Sequence, residues 1–303
     1  FSMPGATHLG RPYDSDIPAA AAVDILQSRL GKYFDPGDIR VMLSDGIVSD
    51  AAAGGDYIKI NEDADFTEFD LQVLEVHEGW VHVGTTLNGR DQPWATWLSV
   101  GSPRVTACQE GLAVLMETLT FSSYPARALK VSDRVVAVDM AEQGADFVEV
   151  YRHFRERGMS AAASYKLTQR VFRGGTLGGG SVFTKDISYL RGFVENVNFI
   201  RSSIRSGVPE VLPMLFVGKL TLDDVPTLYQ HYLEGTIAGP HYLPEMFRDL
   251  NGLYVWFGFA SGMSVMDMAR VQRHYQKLFD SMPKIAPLYE KVIETVIDEE
   301  VVR

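Results

Sequence analysis

One string limits this chain more than any other: His77-Glu78-Gly79-Trp80-Val81-His82, answered about thirty residues later by Gln109-Glu110-Gly111-Leu112-Ala113. Two imidazoles, a third donor in Glu110 and a further carboxylate, Glu78, beside the first imidazole make the inventory of a metal-dependent hydrolase. The usual zinc-peptidase helix spaces its histidines four residues apart on one face. Here the spacing is five, and at about 100° per residue the two rings would point roughly 140° apart on a regular α-helix. Two readings follow. Either the helix loosens into a π-bulge near Gly79, which turns His82 back toward His77, or the histidines are unrelated, one in the core and one at the surface. Gly79 suits the first reading, because it tolerates distorted backbone and sets no side chain beside a metal. That reading carries a condition: the helix departs from i-to-i+4 bonding between His77 and His82.

The flanking sequence sets the string on a helix. Thr67 reads as an N-cap with Glu68 and Asp70 in the first turn, and Phe69, Leu71, Val73, Leu74, Val76 and Val81 make a mostly buried helix that stops near Asn88-Gly89. Ahead of it, residues 18–34 carry a proline start and helical apolar spacing. Residues 38–44 and 57–61 alternate as two paired strands, separated by a turn-rich stretch at 50–56. Glu110 falls on a second helix beginning near Thr106. Beyond 125 the apolar period is helical over 134–157, 161–171, 186–205, 225–233, 244–258 and 264–297, with one glycine-rich break at 173–186. A small sheet ahead of the motif helix and many helices behind it predict an α+β fold, predominantly helical, with one domain over 1–303.

Composition narrows the partners. The chain has 303 residues, 46% apolar and 11% aromatic, enough for a substantial core. A net charge of -11 and a pI near 5.1 argue against broad binding to nucleic acid or an anionic membrane, since both need a basic surface. The one cysteine, Cys108, makes no internal disulfide, so a reducing compartment and a cytoplasmic location are expected. The longest apolar stretch, 253–263, is broken by glycine and serine and is too short to span a bilayer. Phe1-Ser2-Met3 does not open a signal peptide; Met3 reads as a start behind added residues, with the native chain extending further.

Taken in order, the blocks resemble a known family. His77-Glu78-x-x-x-His82, Asn88-Gly89 with Gln92-Pro93, Gly101-x-Pro103, Gln109-Glu110-Gly111-Leu112-Ala113, and Phe183-Thr184-Lys185-Asp186 with Tyr189-Leu190 are similar to the QEGLA-motif proteins. These include the microtubule-associated tyrosine carboxypeptidases, which remove the C-terminal tyrosine of α-tubulin, and many carry additional N-terminal sequence. The resemblance covers at least 38–195. It implies a zincin-like metallopeptidase with one Zn2+ per chain on His77, His82 and Glu110, and Glu78 as the catalytic base. Where relatives carry an aliphatic residue and a glycine, this chain has Gly79-Trp80, so Trp80 is expected to narrow the substrate pocket. Nothing in the sequence identifies tubulin as the partner.

The function expected is a metallocarboxypeptidase acting on a peptide or protein C-terminus. A metallohydrolase of small amides or esters, and a metal-stabilised binding protein without turnover, are the alternatives. Peptide hydrolysis needs a donor for the tetrahedral oxyanion; Tyr189 and Lys185 are candidates, against ordinary roles in a helix start and the core. An exopeptidase also needs a cation for the terminal carboxylate. Arg170 and Arg173 are the local candidates, against a helix end that complements its dipole. Glu117, seven residues after Glu110 and on the same face, could orient a ligand histidine or make a structural ion pair. The run 174–180 is either a flap over the cleft or a connector. His153, His231, His241 and His274 have no partner at metal spacing.

Overall fold

The computed structural model describes residues 15–47, 49–263, 273 and 275. Apart from Arg273 and Tyr275, the helix expected over 264–297 lies outside the described residues, as do His274 and the start at Phe1.

Strand β1 (Ile17–Pro18) runs directly into helix α1 (Ala19–Leu30), whose N-cap is Pro18 in an extended conformation. Ala19, Ala22, Leu26 and Leu30 are buried along one face, and the helix stops at Gly31 rather than running on to 34. Strands β2 (Arg40–Ser44), β3 (Ala51–Ala53) and β4 (Tyr57–Asn61) form one sheet in the order β2-β4-β3. The two expected strands do pair, and in parallel, while the stretch read as turn supplies β3, antiparallel to β4. Alanine is a poor strand former, which is why composition pointed to a turn; pairing with Ile58 and Ile60 overrides it. Strand β5 (Asp65–Phe66) pairs antiparallel with β1.

Thr67 caps the next helix as expected: its hydroxyl accepts from the Asp70 amide, and the Asp70 carboxylate accepts from the Thr67 amide. The helix then runs through three windings without a break, α2 (Glu68–Leu74), a π-helical segment (Glu75–Val83) and α3 (Gly84–Arg90). Asn88 and Gly89 are a docking point more than a stop. They lie buried inside the last turn, where Asn88 donates to the carbonyls of Phe216 and Tyr242 and accepts from the Tyr242 amide.

The remaining helices are α4 (Thr106–Leu119), α5 (Pro125–Glu142), α6 (Phe147–Glu156), α7 (Ala161–Val171), α8 (Ile187–Arg205), α9 (Val225–Leu233), α10 (Glu245–Arg248) and α11 (Asn251–Met263). The single helix expected over 134–157 is two. Gly144 turns the chain at φ 104°, and Asp146 starts α6 with a capping box to Glu149, so local turn chemistry wins over apolar period. The segment 244–258 likewise divides, at Asp249–Leu250.

Two core clusters flank the motif helix. One gathers α1, the sheet, Val83 and Leu87. The other gathers α4, α8 and the apolar run 212–217 with Val76 and Val81, and Trp80 touches both. Helices α4 and α8 meet backbone to backbone: a Cβ on Gly111 would stand 1.9 Å from the Gly192 carbonyl carbon. The fold is α+β and predominantly helical, as the sequence predicts. No described helix is long and apolar enough to cross a membrane.

Candidate metal centre

The π winding is what joins the two histidines. In that segment the Gly84 N–H reaches the Gly79 carbonyl, an i-to-i+5 ring, so residues five apart come round to one face. His77 and His82 therefore lie edge to face with ring centroids 4.9 Å apart. Helix α4 brings Glu110 against them: its Oε2 stands 3.5 Å from His77 Nε2 and 3.6 Å from His82 Nε2. Ligand atoms of all three lie within 4.8 Å of one another.

A zinc ion bound tetrahedrally at about 2.0–2.2 Å needs neighbouring donors roughly 3.3–3.6 Å apart. The two distances to Glu110 meet that requirement, and two imidazoles with a carboxylate are a donor set that zinc accepts. Two of these three candidate ligands are also aimed from behind. His77 Nδ1–H donates to Glu117 Oε1 at 2.6 Å, which turns Nε2 toward Glu110. Arg127 grips both oxygens of Glu117, at 2.5 and 2.6 Å. Lys185 Nζ lies 3.1 Å from Glu110 Oε1, leaving Oε2 to face the histidines. Glu78 points to the sheet, where its Oε2 accepts the Ala53 amide of β3 at 3.1 Å.

These contacts govern protonation. Burial opposes a charge on His77, but the hydrogen bonds to Glu110 and Glu117 outweigh it and push its pKa up to about 9. Burial would raise the Glu110 carboxyl, yet the two histidines hold it far below the ordinary carboxylate range. For Glu117 burial is likewise outweighed, here by Arg127 and His77, and its pKa falls to about 2. Burial pushes the Cys108 thiol up to about 12, so it stays an inert core group.

A family model for the microtubule-associated tyrosine carboxypeptidases matches residues 1–265 of this chain. The chain belongs to that family. A search of curated proteins finds no match. Microtubule-associated tyrosine carboxypeptidases are peptidases of the carboxypeptidase type on a zincin-like domain, and the α+β chain described above is one of that class.

Within this tyrosine carboxypeptidase framework the other candidate residues take definite places. Tyr189 is close to the centre, its ring stacked on His77 at 6.2 Å between centroids, and burial, then Glu110, pushes its hydroxyl pKa up. Arg170 is engaged by the buried Asp186 at 2.5 Å. Arg173 stacks its guanidinium over Phe183 at 4.3 Å. Trp80, expected to narrow the pocket, turns the other way and stacks on Tyr33 at 5.1 Å. Gly79 does not make room for a metal either: a Cβ there would stand 2.3 Å from Leu30 Cδ2 of α1. The glycine-rich run is largely exposed but tied to the α5–α6 corner, with Gly180 N–H on the Ala141 carbonyl and Phe147 N–H on the Leu177 carbonyl.

Three participants escaped the sequence reading. Arg127 has no motif and reaches Glu117 only because the chain turns between α4 and α5. Gln109 is in the motif string, and its Oε1 accepts from both Thr85 and Lys219. Lys219 stands as a lone charge inside the apolar run 211–220; a lysine drawn into such a run is seldom idle. Of the histidines away from the centre, His231 pairs with Glu234 and His241 with Asp35.

Proposed function

We propose that this protein is a zinc-dependent carboxypeptidase, one catalytic domain that removes the C-terminal residue of a peptide or protein, with a C-terminal tyrosine the first substrate to test. The observation that carries the reading is the convergence of His77, His82 and Glu110 at ligand spacing with Glu78 next in sequence to His77. His77, His82 and Glu110 hold the ion. When bound, zinc supplies Lewis acidity to a water and to the scissile carbonyl.

The chain's own residues do the rest. Glu78, steadied through one oxygen by the Ala53 amide, takes a proton from the attacking water at its carboxylate and returns it to the leaving amine. Lys185, beside Glu110, and Tyr189, its ring stacked on His77, are the candidate donors for the developing oxyanion. Glu117 and Arg127 keep His77 in the tautomer whose Nε2 is free to ligate. The tubulin tail enters as a substrate to test through the family's name.

The test is Glu78→Gln on zinc-loaded protein, assayed against peptides ending in tyrosine. We expect a loss of about 10²–10⁴-fold in turnover with zinc content unchanged by elemental analysis. Full turnover in the variant would remove Glu78 as the base, and a wild-type protein that releases no C-terminal residue from any peptide would remove the peptidase reading.

A further inference from the structure

A carboxypeptidase is distinguished from other peptidases by a grip on the free terminal carboxylate, and the two arginines that the sequence nominates are both engaged elsewhere, Arg170 by Asp186 and Arg173 over Phe183. A different group of side chains meets the demand. Against Glu110 opens a cavity of about 250 Å³ whose walls include Ser102, Pro103, Thr106, Gln109, Lys185 and Lys219.

Lys219 lies half-buried in that wall, and an ammonium has three N–H donors. They go to the His82 carbonyl at 2.8 Å, Thr85 Oγ1 at 3.0 Å and Gln109 Oε1 at 2.9 Å. All three acceptors are neutral, so a positive charge is held in place with no anion among the described residues at ion-pair distance, although cations drawn into the protein are normally paired. The same contact fixes the Gln109 amide, because a lysine donor demands its oxygen. Its Nε2 is consequently turned away, and this buried donor has no acceptor among the described residues; Gln109 as a whole is only 5% exposed. Helix α4 begins at the cavity wall with Thr106, contributing the positive end of its dipole. The one carboxylate in the wall, Glu110, is covered by Lys185 on one oxygen and faces the histidines with the other.

We infer that this cavity is the subsite for the substrate's terminal carboxylate, with Gln109 Nε2 as its hydrogen-bond donor and Lys219 as the fixed positive charge. The inference rests on the carboxypeptidase reading and assigns the residues that would make it an exopeptidase. Lys219 acts largely through position: it orients Gln109 and the last turn of the π segment while its charge faces the ligand.

The experiment measures binding, so that it is separate from turnover. Zinc-loaded Glu78→Gln protein is titrated with an N-acetylated tripeptide ending in tyrosine, as the free acid and as the C-terminal amide. A charge-assisted contact predicts that the acid binds at least about tenfold tighter. Adding Lys219→Met brings the two Kd values to within about threefold by weakening the acid alone, and Lys219→Arg restores part of the gap. Because Lys219→Met could loosen the His82 turn, zinc content and the amide Kd serve as controls. Gln109→Glu, which keeps the lysine contact but sets an anion in the subsite, also abolishes the preference. If the acid stays favoured in both variants, or if Arg170→Met removes the preference instead, the assignment is overturned while the peptidase reading stands. If wild-type protein hydrolyses the peptide but acid and amide bind alike, the subsite is again refuted. Absence of both hydrolysis and preference refutes the reading beneath it.

Discussion

Toward α4 the motif helix presents His77 and His82 to Glu110, each held from behind by a short hydrogen bond or a backbone contact. Toward α1 it presents Gly79 to Leu30 and Trp80 to Tyr33, and there the buried Trp80 Nε1 and Tyr33 Oη have no hydrogen-bond partner among the described residues. The same stretch of chain thus has one face fixed by directed polar contacts and one filled by shape. The winding of the helix is set by the first face. The second face accommodates it, by omitting a side chain at Gly79 and by laying a broad indole across both cores.

That contrast is open to direct attack. The largest effect is expected where α4 itself is anchored: in Gly111→Ala the new methyl meets the Gly192 backbone, which has no rotamer to yield. A loss of about 3 kcal/mol or more in urea unfolding is expected, and a near-neutral result would mean that α4 and α8 can separate without loss. Next comes Glu117→Gln, which preserves shape on the polar face but weakens the hold on His77 and Arg127. Zinc affinity should fall about 10–100-fold in competition with a chelating dye; unchanged affinity would make the Glu117–Arg127 pair merely structural.

Gly79→Ala probes the packing face and should cost only about 1 kcal/mol, because the Leu30 methyl it meets is the end of a flexible side chain. Leu30→Ala, which alone should cost about 2–5 kcal/mol at this fully buried leucine, should make Gly79→Ala cheaper in that background than in wild type, and a Gly79→Ala protein that loses zinc would show that the two faces are not separable. The smallest effect concerns pH. In the protein alone burial is outweighed by the hydrogen bonds to Glu110 and Glu117, which push the His77 pKa up to about 9, above the ordinary 6.5 or so of histidine. Its contribution to stability is therefore complete below about 6.5 and lost as pH rises through about 9. Chelator-treated protein should lose Tm across that window. Zinc, which requires the neutral imidazole, should bind more tightly across the same window and remove the slope. A flat Tm after chelation would contradict the ion-paired His77.

Much of this was legible in the sequence, for identifiable reasons. The Thr67 cap and the Glu110 helix follow from local rules, and the five-residue histidine spacing forecast the change of winding because helix geometry admits few other ways to unite the rings. Strand β3 was not legible, since three alanines carry no strand signal and acquire one only from their partner β4. Arg127 and Lys219 were not legible because they come from distant segments and obey no spacing; tertiary contact alone recruits them. Trp80 was misjudged for a related reason: adjacency to a ligand in sequence says nothing about facing, once the helix is rewound.

The continuous helix from Glu68 to Arg90 carries a further consequence. A wider ring takes up extra chain without turning the flanks out of phase, so Leu71 before the π segment, Val83 at its end and Leu87 in α3 still enter the same core. The π segment works as a slack loop in an otherwise fixed thread. What identifies such a centre is therefore the closure of the backbone ring between its ligands, and two chains could count different numbers of residues between their histidines and still present them to the same ion.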